Sequence, residues 1–286
     1  MRVEVNGTRL WFDVDGPALV PDGARMRERP TILLLHGGPG GYDHSYLKPD
    51  LERLTELGQV VYLDLRGHGR SDWGDSDEWS FELCSDDVRL FCDILEIERP
   101  VVLGHSMGGF VAMLYGARHP GHAAGLVLQS TTARHDLERV VAGFRRVGGE
   151  EVAEIARRSY GAGGPVTTDE WARCFAAFGP SVPDEDQLAR RIRNLELGPP
   201  VMDLLRALDV VDQLDRIACP TLVCVGELDP VTPVEASREI ADALPDGLGR
   251  LEVLPGAGHF PWKDAPDALF DVLGEFVRAA YGVESG

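Results

Sequence analysis

The stretch VVLGHSMGGFVAM, residues 101–113, runs an apolar, β-branched segment directly into a glycine-rich turn and then into a helical pattern. Its middle, GHSMG, has the form Gly-x-Ser-x-Gly. The pentapeptide alone is a weak signal, but a strand before it and a helix after it expose the serine hydroxyl above a sheet. A side chain at Gly104 or Gly108 would collide with neighbouring backbone in so tight a turn. Ser106 is therefore the candidate nucleophile.

The chain on either side of this stretch alternates short apolar runs with helix-length amphipathic segments. The first residues form a hairpin pattern around Asn6-Gly7. Six buried strands are then predicted, at residues 31–35, 60–65, 101–105, 125–130, 221–226 and 250–255. Helices are predicted at residues 44–57, 81–97, 107–119, 235–244 and 265–281. This alternation predicts an α/β fold with a mostly parallel sheet and helices on both faces.

One long segment breaks the alternation. Between residues 132 and 206 the sequence has helical patterns but no convincing buried strand. This predicts a helical cap at 132–206, inserted after the sixth strand into a core formed by 1–131 and 207–286. The cap would cover the carboxyl edge of the sheet, where open α/β sheets bind ligands.

Composition excludes several classes of function. The net charge of −19 and the lack of a basic tract argue against nucleic acids and anionic membranes as partners. The apolar runs are too short to cross a bilayer. The five cysteines are odd in number and lack CxxC spacing, so we expect reduced thiols in a cytoplasmic protein and no metal site. The expected partner is a small-molecule or short-peptide substrate, and the oligomeric state stays open.

A serine nucleophile needs a base and an acid. Of the eight histidines, His259 in the loop GAGHF follows the last predicted strand and precedes the last helix. Asp229 in VCVGELDPVTP lies just past a buried strand, with Glu227 as the alternative acid. The order Ser106, Asp229, His259 is the one expected for a strand-turn-helix nucleophile of this kind.

The third requirement is a pair of N–H groups that stabilise an oxyanion. LLLHGGPGG, residues 33–41, leaves a strand in a glycine-rich turn with free backbone N–H groups. We predict that Gly38 supplies one donor and that Met107, which follows the nucleophile, supplies the other. Gly37 is a candidate substrate-binding residue in the same turn. This chemistry needs no cofactor.

The motifs HGGPG with YDHSYL, DLRGHGRSD, GHSMGG and GELDPVTP resemble those of the α/β-hydrolase superfamily, and are most similar to its proline iminopeptidase branch. The resemblance covers the body outside the cap. It implies an oxyanion hole built by the first motif and release of an N-terminal residue, preferably proline, through an acyl-enzyme on Ser106. The chain departs from the family in Met107, where an aromatic residue is frequent, and in Leu65, where glutamine is frequent.

The resemblance leaves the scissile bond open, because fold and triad do not select it. An aminopeptidase needs carboxylates for the substrate ammonium group. Glu170 in TDEWARCF resembles the family segment that provides one, and Glu196 is a second candidate. Three arginines, at positions 190, 191 and 193, could instead meet an acidic substrate, but an ordinary exposed basic patch is the favoured interpretation. The prediction is a proline iminopeptidase-like aminopeptidase. The alternative, a carboxylesterase or lactonase, needs no cap carboxylate, so the test is whether either glutamate faces Ser106.

Two further alternatives come from the same fold. A non-catalytic ligand receptor is disfavoured by the presence of every triad member in the sequence. A thioesterase is disfavoured by the HGGPG turn.

Overall fold

Ten strands occur in the computed structural model, which describes residues 1–75, 79–161 and 164–282. Their bounds are β1 (Arg2–Val5), β2 (Thr8–Asp15), β3 (Leu19–Asp22), β4 (Arg25–Glu28), β5 (Thr31–Leu35), β6 (Gln59–Leu63), β7 (Val101–His105), β8 (Gly125–Gln129), β9 (Thr221–Gly226) and β10 (Gly249–Leu254). The α-helices of these residues are α1 (Lys48–Leu51), α2 (Phe81–Ile94), α3 (Met107–Arg118), α4 (Leu137–Tyr160), α5 (Thr168–Ala176), α6 (Glu185–Arg190), α7 (Gly198–Arg206), α8 (Val234–Ala243), α9 (Pro261–Asp264) and α10 (Pro266–Ala280).

Eight of the strands form one sheet in the order β1-β2-β6-β5-β7-β8-β9-β10. All pairs from β6 to β10 are parallel, whereas β1 and β2 run antiparallel to their neighbours. The predicted N-terminal hairpin is β1-β2, and its turn residues Asn6 and Gly7 both have positive φ, as a two-residue hairpin turn requires. The mostly parallel sheet is therefore confirmed.

The sheet is covered on both faces because side chains alternate along each strand. On β5, Leu33 and Leu35 pack into the layer that contains α2 and α3, whereas Ile32 and Leu34 pack into the layer that contains α10. Helix α10 buries Leu269 and other apolar residues on its sheet-facing side. Strands buried on both faces explain the near-continuous apolar runs of the sequence.

Two local features differ from the predictions. Strands β3 and β4 form a separate hairpin that was not predicted, because its mostly polar, exposed residues show no apolar alternation. The single helix predicted at 44–57 is wrong. The segment consists of 3₁₀ turns at His44–Tyr46 and Glu52–Glu56 around the four-residue α1, whose Pro49 lacks a backbone N–H.

Helices α4 to α7 lie between β8 and β9, which are the sixth and seventh strands of the eight-stranded sheet in chain order. Helix α4 is kinked at Gly149, whose φ of 78° interrupts the helical backbone. The predicted helical insertion after the sixth strand is thus present. The exact limits of the cap, 132 and 206, remain a prediction.

Two chemical properties of the chain complete this description. Within the described ranges, every helix is too short or too polar to cross a bilayer. The five cysteines are all buried, and burial raises the pKa of thiols such as Cys92 and Cys224, each to about 12.

Candidate active site

Ser106 lies in the sharp turn between β7 and α3, where its backbone has a positive φ of 53°. A residue with a side chain rarely adopts this conformation, which clusters at functional sites. A Cβ at Gly104 would collide with the backbone of Gly108, and a Cβ at Gly108 with the backbone of Leu35 at the end of the neighbouring strand β5, so both glycines are required as predicted. The Ser106 N–H donates to the Gln129 carbonyl (3.0 Å), and the Ser106 carbonyl accepts from Thr131 Oγ1 (2.8 Å).

His259 follows β10 and Asp229 follows β9, so two neighbouring strands bring these side chains together. Nδ1 of His259 lies 2.8 Å from Oδ2 of Asp229, and both residues are buried. The Asp229 carboxylate also accepts from the N–H groups of Val231 (2.8 Å) and Thr232 (3.0 Å), and from the Thr232 hydroxyl (2.8 Å). These donors compensate the burial of the carboxylate and fix its orientation toward the imidazole.

The glycine-rich turn after β5 passes directly beside the serine. A Cβ on Gly37 would lie 2.9 Å from Cβ of Ser106. The Gly37 N–H donates to the Tyr46 hydroxyl (3.0 Å), so this donor is already used. Among the described residues, no hydrogen bond occupies the N–H of Gly38 or of Met107. These two groups are therefore free to bind an oxygen of a substrate.

A buried chain of hydrogen bonds connects the glycine-rich turn to the loop of His259. Nδ1 of His105 lies 2.7 Å from the Tyr46 hydroxyl, and its Nε2 lies 3.0 Å from the His259 carbonyl. A carbonyl only accepts, so Nε2 carries the proton and Nδ1 accepts from Tyr46. Burial, and then repulsion from His259, hold the pKa of His105 well below its usual range, in agreement with this neutral form.

Two more buried histidines join this turn to the loop that carries DLRGHGRSD. Nε2 of His36 accepts from the Leu65 N–H (3.1 Å), and Nε2 of His68 accepts from the Gly40 N–H (3.0 Å). The Nδ1 atom of each ring lies 2.9 Å from a carbonyl of its own loop. Burial lowers the pKa of both histidines, that of His68 to about 3. The loop DLRGHGRSD therefore helps to hold the glycine-rich turn after β5 in place.

A cavity of about 820 Å³ lies above the carboxyl edge of the sheet, and Ser106 and His259 both line it. The cap contributes four aromatic rings to the lining: Tyr160, Trp171, Phe175 and Phe178. The Phe178 carbonyl also accepts from the His259 N–H (2.7 Å), which connects the cap to the loop that carries His259. The volume suits a drug-sized, mostly apolar ligand.

Glu170, predicted to bind a substrate ammonium group, is used in another way. It is the third residue of α5, where its carboxylate accepts from the Thr167 N–H (2.8 Å) in a capping box. Its other oxygen pairs with Arg158 at 2.5 Å. The Arg158 hydrogen bond and the Thr167 N–H lower the pKa of Glu170 to about 2. Among the described residues, Glu170 does not line the cavity.

Glu196 is exposed and also does not belong to the described lining of the cavity, although its neighbour Leu195 does. Asp136 is the one carboxylate among the described lining residues. It caps α4 by accepting from the Arg139 N–H (3.0 Å), and lies 3.6 Å from Nε of the same arginine. The structure therefore brings neither predicted glutamate to Ser106.

One group of side chains has the composition of a metal site. Asp43, His44 and Asp64 are buried, with ligand atoms within 4.8 Å of one another. Asp64 accepts from Nδ1 (2.7 Å) and N–H (2.9 Å) of His44, and Asp43 accepts from the Ile192 N–H (2.8 Å). These hydrogen bonds give the cluster a structural role in holding the loops.

Sequence reasoning missed several residues that shape this site. Tyr46 and His105 lie within the quoted motifs, so their position near the turn was visible, but their mutual hydrogen bond was not. Leu188 and Leu195 reach the cavity only through the packing of the cap. No local sequence signal marks such tertiary contacts.

Known proteins are similar to this chain over most of its sequence. The α/β hydrolase fold family matches residues 30–266 of the chain. The chain is 26% identical to a proline iminopeptidase of Lactiplantibacillus plantarum over 276 residues, covering 90% of this chain and 95% of that protein. It is 29% identical to a monoacylglycerol lipase of Mycolicibacterium smegmatis over 275 residues, covering 93% and 91% respectively.

A solved structure also has the same fold as this chain. The proline iminopeptidase-related protein from Thermus thermophilus is 26% identical and superposes with a TM-score of 0.75, covering 98% of this chain and 96% of that one. The predicted resemblance to the α/β-hydrolase superfamily, and to its proline iminopeptidase branch, is confirmed. The named activities of the relatives differ, because they include both a peptidase and a lipase. The family match covers most of the chain, so the chain belongs to the α/β-hydrolase fold family.

Proposed function

We propose that this hydrolase is a serine hydrolase that cleaves small carboxylic esters or lactones through an acyl-enzyme on Ser106. His259 takes the proton of the serine hydroxyl at Nε2, because Nδ1 is committed to Asp229. The N–H groups of Gly38 and Met107 stabilise the oxyanion. His259 then protonates the leaving group and activates a water for deacylation.

The observation that carries this proposal is the convergence of three features on one cavity. They are a serine held at positive φ, a buried imidazole–carboxylate pair, and two backbone N–H groups without partners among the described residues. Each feature has a structural explanation when taken singly. Together they supply a nucleophile, a base with a fixed tautomer and an electrophilic site, the set that acyl transfer requires.

The preference for an ester or lactone is supported by the charges of the cavity. A substrate ammonium group would need a carboxylate, and the carboxylate among the described lining residues, Asp136, is engaged by Arg139. Glu170 is engaged by Arg158 outside the lining. The aromatic cap residues favour an apolar acyl or alcohol part.

An aminopeptidase that releases an N-terminal residue is the second candidate. It is favoured by the relatives, because proline iminopeptidases are among them at 26% identity. It requires that a substrate ammonium group be bound by a group other than the two predicted glutamates, such as backbone carbonyls.

A paired activity screen tests these alternatives. The purified protein would be offered p-nitrophenyl butyrate and a small lactone, and separately the p-nitroanilides of proline and alanine, with Ser106→Ala as the blank. We expect ester or lactone turnover that falls by at least about 10³-fold in the variant. Amide turnover that disappears when the substrate amine is acetylated would instead establish the aminopeptidase.

Covalent labelling tests the nucleophile without a choice of substrate. A fluorophosphonate probe should add its mass to the wild type and to Ser159→Ala, whose serine also lines the cavity, but not to Ser106→Ala. Labelling that persists in Ser106→Ala would exclude the proposed nucleophile.

A further inference from the structure

The cavity differs in charge from the protein that surrounds it. The chain carries a net charge of −19. The described residues of the cavity wall nevertheless include four arginines, at positions 134, 139, 191 and 193, and one carboxylate, that of Asp136. Positive charge in the cavity of an acidic protein needs either carboxylate partners or a ligand of opposite charge, and the four arginines differ in whether they have such partners.

Arg134 and Arg139 both have carboxylate partners. Both guanidinium groups pair with Glu239, Arg139 Nη1 at 2.9 Å from its Oε2. Arg139 also lies close to Asp136. These two arginines join the start of the cap to α8, and their pairing explains their presence without a ligand.

Arg191 and Arg193 follow α6 and are different. Among the described residues, neither forms a salt bridge. Arg191 is half-buried, with Cζ 4.3 Å from the ring centroid of Tyr42 and Nε donating to the Leu188 carbonyl (2.9 Å). Burial lowers the pKa of Arg191, although a guanidinium stays charged.

The acidic neighbour of Arg191 is already occupied. The charge of Asp43 acts on Arg191, but its oxygens accept from the N–H groups of Ser45 and Ile192, both at 2.8 Å. Burying a cation without a carboxylate partner is unfavourable unless an anion binds there. A guanidinium is planar in itself, and one that lies over an aromatic ring can still use the N–H groups at its edge to bind an acceptor.

The position of Arg191 relates it to the proposed oxyanion hole. Tyr42 packs against Gly38 so closely that a Cβ there would collide with its ring. Tyr42 therefore contacts both the Arg191 guanidinium and the backbone of Gly38. Arg191 and Gly38 line the same cavity, so a single ligand in it has access to both.

We propose that Arg191, assisted by Arg193, binds a carboxylate of the substrate, and that the substrates are esters or lactones that carry this second, ionised acid group. The inference rests on the proposed function and narrows it from esters in general to acidic ones. Planar, two-pronged hydrogen bonding to a carboxylate is the interaction that arginine makes best.

The test compares two substrates that differ only in charge. Mono-p-nitrophenyl adipate carries a free carboxylate, and p-nitrophenyl methyl adipate has that group methylated. We expect kcat/KM of the wild type to be about 10-fold to 100-fold higher for the acid. Arg191→Gln should remove the preference by lowering kcat/KM on the acid to about its value on the methyl ester, mainly through a higher KM for the acid.

Arg190→Gln is the matched control, because Arg190 is exposed and is not among the described lining residues. It should keep the full preference. Equal rates on the two esters in the wild type, or a preference that survives in the double variant Arg191→Gln/Arg193→Gln, would overturn the inference.

Binding separates this inference from the proposed function. If neither ester is hydrolysed, the proposed function fails, and calorimetric titration of the two esters into the same protein decides the inference. Binding of the acid at least about 10-fold tighter than that of its methyl ester, lost in Arg191→Gln, would support the anion site. Equal affinities, or no binding of either, would overturn it.

Discussion

The edge of the sheet and the cap contribute to the cavity in different ways. At the sheet edge, polar side chains are buried and held by backbone groups: Asp229 accepts from two N–H groups, and His105 donates to the His259 carbonyl. In the cap, ion pairs such as Arg145–Glu150 lie at the surface, where such pairs contribute little to stability.

In the proposed function, the sheet edge carries out the reaction and the cap selects the substrate. Short loops after parallel strands fix the proposed catalytic residues, so the arrangement of these residues follows from local sequence and from strand order. The cap helices contact the core through tertiary hydrogen bonds, such as the one from the His259 N–H to the Phe178 carbonyl, and through packing that local sequence does not specify. Changes at the sheet edge should therefore affect the rate for every substrate, whereas changes in the cap should affect the choice among substrates.

The largest expected effect at the sheet edge is that of Asp229→Asn. The amide cannot stabilise the imidazolium and favours the wrong tautomer of His259, so kcat should fall by about 10⁴-fold for any substrate. Glu227→Gln is the matched control two residues away, since Glu227 is exposed and its carboxylate accepts only from the Gly256 N–H among the described residues. Steady-state kinetics on the best ester measures both.

An equal loss in both variants would assign the acid role to neither residue. It would also contradict the view that buried, backbone-held groups at the sheet edge carry the chemistry.

Tyr46→Phe tests the hydrogen-bonded chain behind the reacting groups. The change leaves the Gly37 N–H and Nδ1 of His105 buried without their partner. We expect kcat to fall by about 10-fold and the free energy of unfolding to fall by about 1–3 kcal/mol for each unpaired group. Urea denaturation and kinetics measure the two effects.

Tyr62→Phe is the control for that change. The Tyr62 hydroxyl is buried and has no hydrogen-bond partner among the described residues, so its removal should cost little or stabilise the fold. If both variants lose stability equally, the loss reflects repacking of a ring and not the hydrogen-bonded chain.

A smaller effect concerns pH. The pKa of His68 is about 3 in the folded protein and about 6.5 in the unfolded chain. Below about pH 6.5 the unfolded chain therefore binds a proton that the folded protein does not, and stability falls as the pH falls. His68 alone should lower the free energy of unfolding by about 2 kcal/mol between pH 7.5 and pH 5.

His68→Gln isolates this contribution, because glutamine can still accept from the Gly40 N–H but does not titrate. The variant should lose about 2 kcal/mol less than the wild type over the same pH interval. Urea denaturation at both pH values measures this difference. Equal losses of unfolding free energy in the wild type and the variant would show that protonation of His68 does not make the protein less stable in acid.

Much of the sheet edge could be predicted because its signals are local. The strand-turn-helix context of Ser106 and the glycines around it follow from sterics within a few residues. The loop positions of Asp229 and His259 follow from the alternation of strands and helices. The hairpin β3-β4 was missed, because its exposed polar strands carry no burial pattern.

The cap could be predicted as helical but not as a binding surface. Amphipathic spacing identifies α5, yet it does not reveal that Glu170 turns back onto its own helix start and onto Arg158. The sequence Thr-x-x-Glu is itself a capping-box signal, so the local role of this glutamate could have been inferred. The stacking of Arg191 on Tyr42 joins residues far apart in sequence and had no such signal.

The smallest expected effect is that of Glu170→Gln, and it sharpens the comparison most. If Glu170 serves only the capping box and Arg158, kcat/KM on esters and on free-amine amides should change by less than about twofold. Asp169→Asn, one residue earlier on the same helix, is the matched control. A loss confined to substrates with a free amine would contradict this expectation, because an ammonium-binding role requires the carboxylate to leave Arg158 and face the cavity. Such a loss would mean that the cap rearranges when substrate binds, and that its surface ion pairs are the means of that change.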